Sequence, residues 1–192
     1  MQTLVLNPSS LSQWRALIVD AGQASSIKLS EDLESYLVFL LMRFIKNPEI
    51  VDTIMALDYL QNIQRTSREN QQTLRDVGDK CLLFAGLFPK SAGRRQLRIS
   101  YYVKLGQMAY ASLSGVHQNQ LSELFKKLGS NFVGLMDVLQ AVRALDPNAS
   151  VLDLLEAEEL WAETKSTYAL KILRQSTKGF LIPSAKDLLQ KH

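Results

Sequence analysis

The chain is poor in the residues that most often carry chemistry. Among its 192 residues there is one cysteine, Cys81, and there are two histidines, His117 and His192. One cysteine closes no intrachain disulfide and builds no thiolate zinc site, so a reducing cytoplasm is the expected location. Two histidines, one in a polar stretch and one at the last position, exclude a His-rich metal centre. The sequence contains no P-loop, no Rossmann glycine pattern, no G-x-S-x-G and no H-E-x-x-H. No catalytic residue, metal ligand or cofactor is therefore expected.

Long apolar runs are also missing. The most apolar stretch, Tyr36 to Ile45, is about half the length of a membrane span and is interrupted by Arg43. It reads as a buried helix. The first residues, Met1-Gln2-Thr3-Leu4, have neither the basic nor the apolar region of a secretory signal. Charge of one sign is nearly balanced, with 22 basic and 19 acidic side chains for a net charge of +3. Binding to nucleic acid phosphates calls for a clustered basic face, and so small an excess does not supply one.

Strand signals are scarce, with no sustained alternation and no Asn-Gly or Asp-Gly hairpin turn. Helical spacing runs through the chain instead. The pattern predicts a first helix from Ser9 or Ser10 to about Ala21, then a polar loop over Gly22 to Lys28. A second helix starts at Ser30 as N-cap, with Glu31 and Asp32 at the positive end of its dipole, and stops at Asn47-Pro48. Pro48 opens a third, carrying Val51, Ile54, Met55 and Tyr59. Further helices are predicted over about 70–88, 99–113, 121–128 and 132–145. The last two end before Gly129 and Asp146-Pro147. A long one follows from a Ser150/Asp153 cap to about Gln175, and a short turn begins at Ser184. With short connections and no internal repeat, the expected fold is all-α. It is a single domain over 1–192, a bundle of seven to nine helices with mostly antiparallel neighbours.

The stretch from Val77 to Pro89 concentrates locally unfavourable choices. Gly78 and Gly86 fall inside a helical pattern, each costing about 1 kcal/mol relative to alanine. Gly78, Cys81 and Ala85 form a narrow stripe of small side chains, and Gly106, Ala109 and Leu113 offer a counterpart on the 99–113 helix. Close packing of two helices accounts for such a stripe; the alternative is that the glycines clear a pocket. Asp79 adjoins this seam, and Arg43 is similarly out of place on an apolar helix. If buried they must be paired, and an Arg43–Asp79 ion pair is expected. Tyr101, Tyr102 and Tyr110 are candidates to join it, making Arg43, Gly78, Asp79, Tyr101, Tyr102, Gly106 and Tyr110 the candidate polar or pocket cluster. Cys81 reads as a buried, inert thiol.

Two charged groups complete the inventory. Glu156, Glu159 and Glu163 share a helical face, but without the Glu-x-x-His partner of di-metal bundles they read as solvated. Lys90, Arg94, Arg95, Arg98 and Lys104 form a basic run with no acidic residue, a candidate anion patch that reads first as solvent-facing or partner-facing. The acidic face is one candidate partner for it, within the chain or across a dimer.

Four segments, Tyr36–Phe44, Leu74–Pro89, Ser100–Leu113 and Leu124–Leu139, resemble a family of proteobacterial hypothetical proteins. The likeness is strongest at G-D-K-C-L-L-F-A-G-L-F, from Gly78 to Phe88, and at Y-Y-V-K-L-G-Q-M-A-Y, from Tyr101 to Tyr110. The resemblance implies an intact single-domain member of that family. It brings no activity, so no functional residue transfers through it. The leading expectation is a non-enzymatic helical protein that binds a protein partner or a second copy of itself. The alternative is a small-molecule-binding protein or enzyme with a pocket between the 70–88 and 99–113 helices.

Overall fold

The computed structural model describes residues 10–47, 68–88, 98–116, 120–145 and 152–176. Every regular element among them is an α-helix, and there are eight: α1 (Ser10–Ser25), α2 (Glu31–Lys46), α3 (Arg68–Leu87), α4 (Ile99–Val116), α5 (Gln120–Ser130), α6 (Phe132–Ala144), α7 (Leu154–Thr164) and α8 (Thr167–Ser176). Consecutive helices pack on each other, α1 on α2, α3 on α4, α4 on α5 and α7 on α8, as short connections favour. The α3–α4 contact is the most extensive. None of the described helices is long and apolar enough to cross a membrane.

Burial follows the sequence patterns closely. On α2 the buried positions Leu33, Tyr36, Leu37, Leu40 and Leu41 recur at helical spacing, with acidic residues in the first turn and Arg43 and Lys46 in the last. Ser30 is its N-cap, though the serine hydroxyl makes no capping bond. The central element is α6. It buries Phe132, Leu135, Met136, Asp137, Val138, Leu139, Gln140 and Ala141. A helix apolar on nearly all sides belongs inside a bundle, and α6 packs on α1, α3 and α8 among others.

Several boundaries differ from the sequence patterns. The first helix does not stop at Ala21 but runs to Ser25, because Gly22 and Ser25 are buried and Ser25 Oγ bonds back to the carbonyls of Ala21 and Gly22. It closes with Ser26 in the left-handed conformation at φ 61°, where Ile27 N–H donates to Gly22 O and Ser26 N–H to Gln23 O. That is the Schellman arrangement, with serine where glycine is usual. Gly22 suits this turn, since a Cβ there would stand a tight 3.0 Å from Ile27 O. In α4, Ser114 and Gly115 stay inside the helix, with Ser114 Oγ bonded to Ala111 O. Gly129 likewise lies within α5.

The largest departure concerns 150–175, read above as one helix. It is two, broken at Lys165, which takes φ 60°. A buried carboxylate on another helix causes the break. Asp137 of α6 accepts from Ser166 Oγ at 2.6 Å with one oxygen, and from Thr167 N–H at 2.9 Å and Tyr168 N–H at 3.1 Å with the other. Ser166 Oγ in turn accepts from Ala169 N–H. The orphan donors at the start of α8 are thus satisfied from across the core, which a straight helix would forbid. At the start of α7 the cap is Asp153, in a reciprocal capping box with Glu156. Ser150, the helix predicted from Pro48 and the turn predicted at Ser184 lie outside the described residues.

Candidate functional site

Among the described residues, a buried polar constellation gathers around Asp79, which is 1% exposed. Three helices supply it. Tyr36 and Arg43 lie seven residues apart on α2, and Arg75 and Asp79 four apart on α3. Both spacings bring side chains to one helix face. Tyr110 comes from α4. The Tyr36 and Tyr110 hydroxyls both donate to Asp79 Oδ1, at 2.6 and 2.7 Å. Arg43 donates through Nη2 to Oδ2 at 2.6 Å, and its Nη1 lies 3.4 Å from Asp76. Arg75 stands 3.7 Å from Oδ2, donates to the Tyr36 hydroxyl at 3.3 Å and places its guanidinium over the Tyr36 ring. The two tyrosine rings meet edge to face, 6.4 Å between centroids.

All of these partners present donors to Asp79, which fixes it as a carboxylate. Burial pushes the Asp79 carboxyl above its ordinary value, and the Arg43 charge, the two tyrosine hydroxyls and the Arg75 charge pull against that shift. Burial, and then the neighbouring Asp79 charge, raise both the Tyr36 and the Tyr110 phenols above their ordinary value of 10.0. The cluster sets one buried carboxyl among donors from three helices. Arg43 Nε is buried and finds no hydrogen-bond partner among the described residues.

The glycines beside this cluster are filled against, not empty. A Cβ on Gly78 would stand 2.6 Å from the Tyr110 ring, and one on Gly86 2.5 Å from Leu139 Cβ. One on Gly106 would overlap the Phe132 ring and press on Cys81 Cβ. The space cleared along the α3–α4 seam is occupied by the chain's own side chains. Cys81 is fully buried in it, and burial raises its thiol far above the usual range.

The candidate residues separate into groups. Arg43, Asp79 and Tyr110 are in direct contact, with Gly78 against the Tyr110 ring. Gly106 lies further along the seam. Tyr102 is buried with its ring 4.7 Å from that of Phe84, and Tyr101, 36% exposed, packs edge-on against Tyr102. Of the basic run, Lys90, Arg94 and Arg95 lie outside the described residues. Arg98 pairs with Glu163 at 2.9 Å within the chain, and Lys104 is exposed. Among the described residues no group of His, Cys, Asp and Glu could hold a metal ion.

Tyr36 and Arg75 were not identified as members of the cluster from sequence. The seven-residue spacing of Tyr36 from Arg43, and the four-residue spacing of Arg75 from Asp79, are the signals that place them there. Asp137, buried on an otherwise apolar helix, was also missed, and its burial pushes its carboxyl upward against the pull of Ser166 and the Thr167 and Tyr168 amides. No protein-family model, curated protein or solved structure matches this chain.

Two outcomes follow from the geometry. Gly106→Ala should lower the unfolding free energy by about 1–3 kcal/mol in urea titration, because Phe132 is fully buried and has nowhere to move; an unchanged midpoint would mean that the seam is loose. The second concerns pH. Because Tyr36 and Tyr110 hold their protons more tightly folded than unfolded, their contribution is complete below pH 10.0 and drains away as pH rises through the folded values. In an alkaline titration these two tyrosines should give tyrosinate absorbance only as helical circular dichroism is lost. Full ionisation of all tyrosines ahead of unfolding would contradict this.

Proposed function

We propose that the chain is a non-enzymatic helical protein-interaction module that self-associates through the outer face of α2. Phe39 and Ile45 carry this reading. They are 59% and 57% exposed, and with the half-buried Met42 they step along α2 at three-residue intervals as an apolar ridge. The opposite face of the same helix is buried in the core, and Tyr36 and Arg43 tie it to Asp79. A rigidly held helix with an apolar outer ridge suits pairing with a second copy about a two-fold axis, ridge against ridge.

In this reading all 192 residues make one domain, at work in the cytoplasm without a cofactor. Arg43, Gly78, Asp79, Gly106 and Tyr110 serve as support for the α2 face rather than as a ligand site. Tyr101 and Tyr102 belong to the packing at the far end of α4. Arg98 and Lys104, both exposed, are read together with Lys90, Arg94 and Arg95 in sequence as a run for solvent or a protein partner rather than for nucleic acid.

Size-exclusion chromatography with light scattering tests the proposal. The chain should elute as a dimer, and the Phe39→Glu/Ile45→Glu variant as a monomer with unchanged helical circular dichroism. A monodisperse monomer of the unmodified chain at high concentration would overturn it.

A further inference from the structure

We infer that the α7–α8 hairpin opens and closes as a unit on the body of the bundle, with Asp137 as its latch. The two helices pack chiefly on each other and more sparsely on α4, α6 and α1. Among the described residues, their buried apolar positions are Ala157 and Leu160 from α7 and Ala169 and Leu173 from α8, with Trp161, Tyr168 and Ile172 partly buried around them. By contrast α6 alone buries eight residues.

Among the described residues, the polar ties between the hairpin and the body include three that hydrogen-bond or ion-pair directly. Arg98–Glu163 and the bond from Lys171 Nζ to Ala24 O lie at the surface, where water competes for the charged groups. The third is Asp137, 0% exposed, which accepts from the Ser166 hydroxyl and from two backbone N–H groups of α8. It is the buried one of these ties. With the hairpin in place, a carboxylate inside an apolar helix is satisfied by α8. With the hairpin away, water must take over those bonds, and α8 loses the acceptor for its first two amides. Docking and the order of α8 are therefore coupled through one side chain. Lys165, left-handed at φ 60°, closes α7 with its N–H on Trp161 O and turns the chain into α8. Opening exposes the inner apolar face of the hairpin while α2, α3 and α4 stay locked around Asp79.

Native-state hydrogen exchange read residue by residue tests this on the intact chain. The amides of 154–176 should exchange as a group, about tenfold or more faster than the buried amides of α3 and α4. Asp137→Ala should speed the hairpin amides by about a further tenfold or more and leave those of α3 and α4 unchanged. Ser166→Ala, which keeps the carboxylate, should act in the same direction more weakly. Exchange of the hairpin at the same rate as α3 and α4 in the unmodified chain overturns the proposal, which settles the matter even if Asp137→Ala fails to fold. Asp137→Ala acting equally on every helix, or on none, overturns the latch.

Discussion

A carboxylate taken out of water must be met by donors, and the position of Asp79 sets where three helices can lie. Tyr36 and Arg43 fix the rotation of α2, Tyr110 fixes that of α4, and Asp79 itself anchors α3. Turning any of the three about its axis would take a donor away and leave a charge buried without its partner, a loss of about 3–5 kcal/mol. Hydrophobic contact alone tolerates such rotations much better. The apolar residues around the cluster supply the drive to collapse, and the polar cluster selects the register.

The glycines are the other half of that constraint. Tyr110 can reach Asp79 because its ring lies against the bare backbone of Gly78. Gly106 does the same for Phe132, which lets α6 reach the core of the α3–α4 pair. The conformational cost of glycine within a helix is offset here by close approach, and the space is taken up by aromatic rings. Asp137 repeats the principle on a smaller scale. There the donors are backbone amides at a helix start, so the buried carboxylate decides where α7 ends and α8 begins.

Much of this was legible in sequence because it depends on local pattern. The spacing of Leu33, Tyr36, Leu37, Leu40 and Leu41 identifies α2, and Pro48 marks the region where it ends. Gly78, Asp79 and Arg43 stand out as costly choices in apolar surroundings, and cost is visible without coordinates. Partners across the core are not. Nothing in the order of residues tells Tyr110 from Tyr101 and Tyr102 as the tyrosine that reaches Asp79; helix rotation decides it. The break at Lys165 was hidden for the same reason, since Leu160, Ala169 and Leu173 continue a helical pattern on either side and the interrupting carboxylate sits 29 residues before Ser166. Gly22 and Gly115 look like terminators in sequence, yet α1 and α4 continue through them.

The central claim is that the Asp79 cluster holds α2, α3 and α4 in register. The unfolding free energy of Asp79→Ala, from urea titration against the unmodified chain, tests it most directly. Two buried hydroxyls and a half-buried guanidinium lose their shared acceptor, so the loss should be about 3–5 kcal/mol, or large enough to prevent folding. A loss below about 1 kcal/mol, the range of an exposed ion pair, would contradict the account.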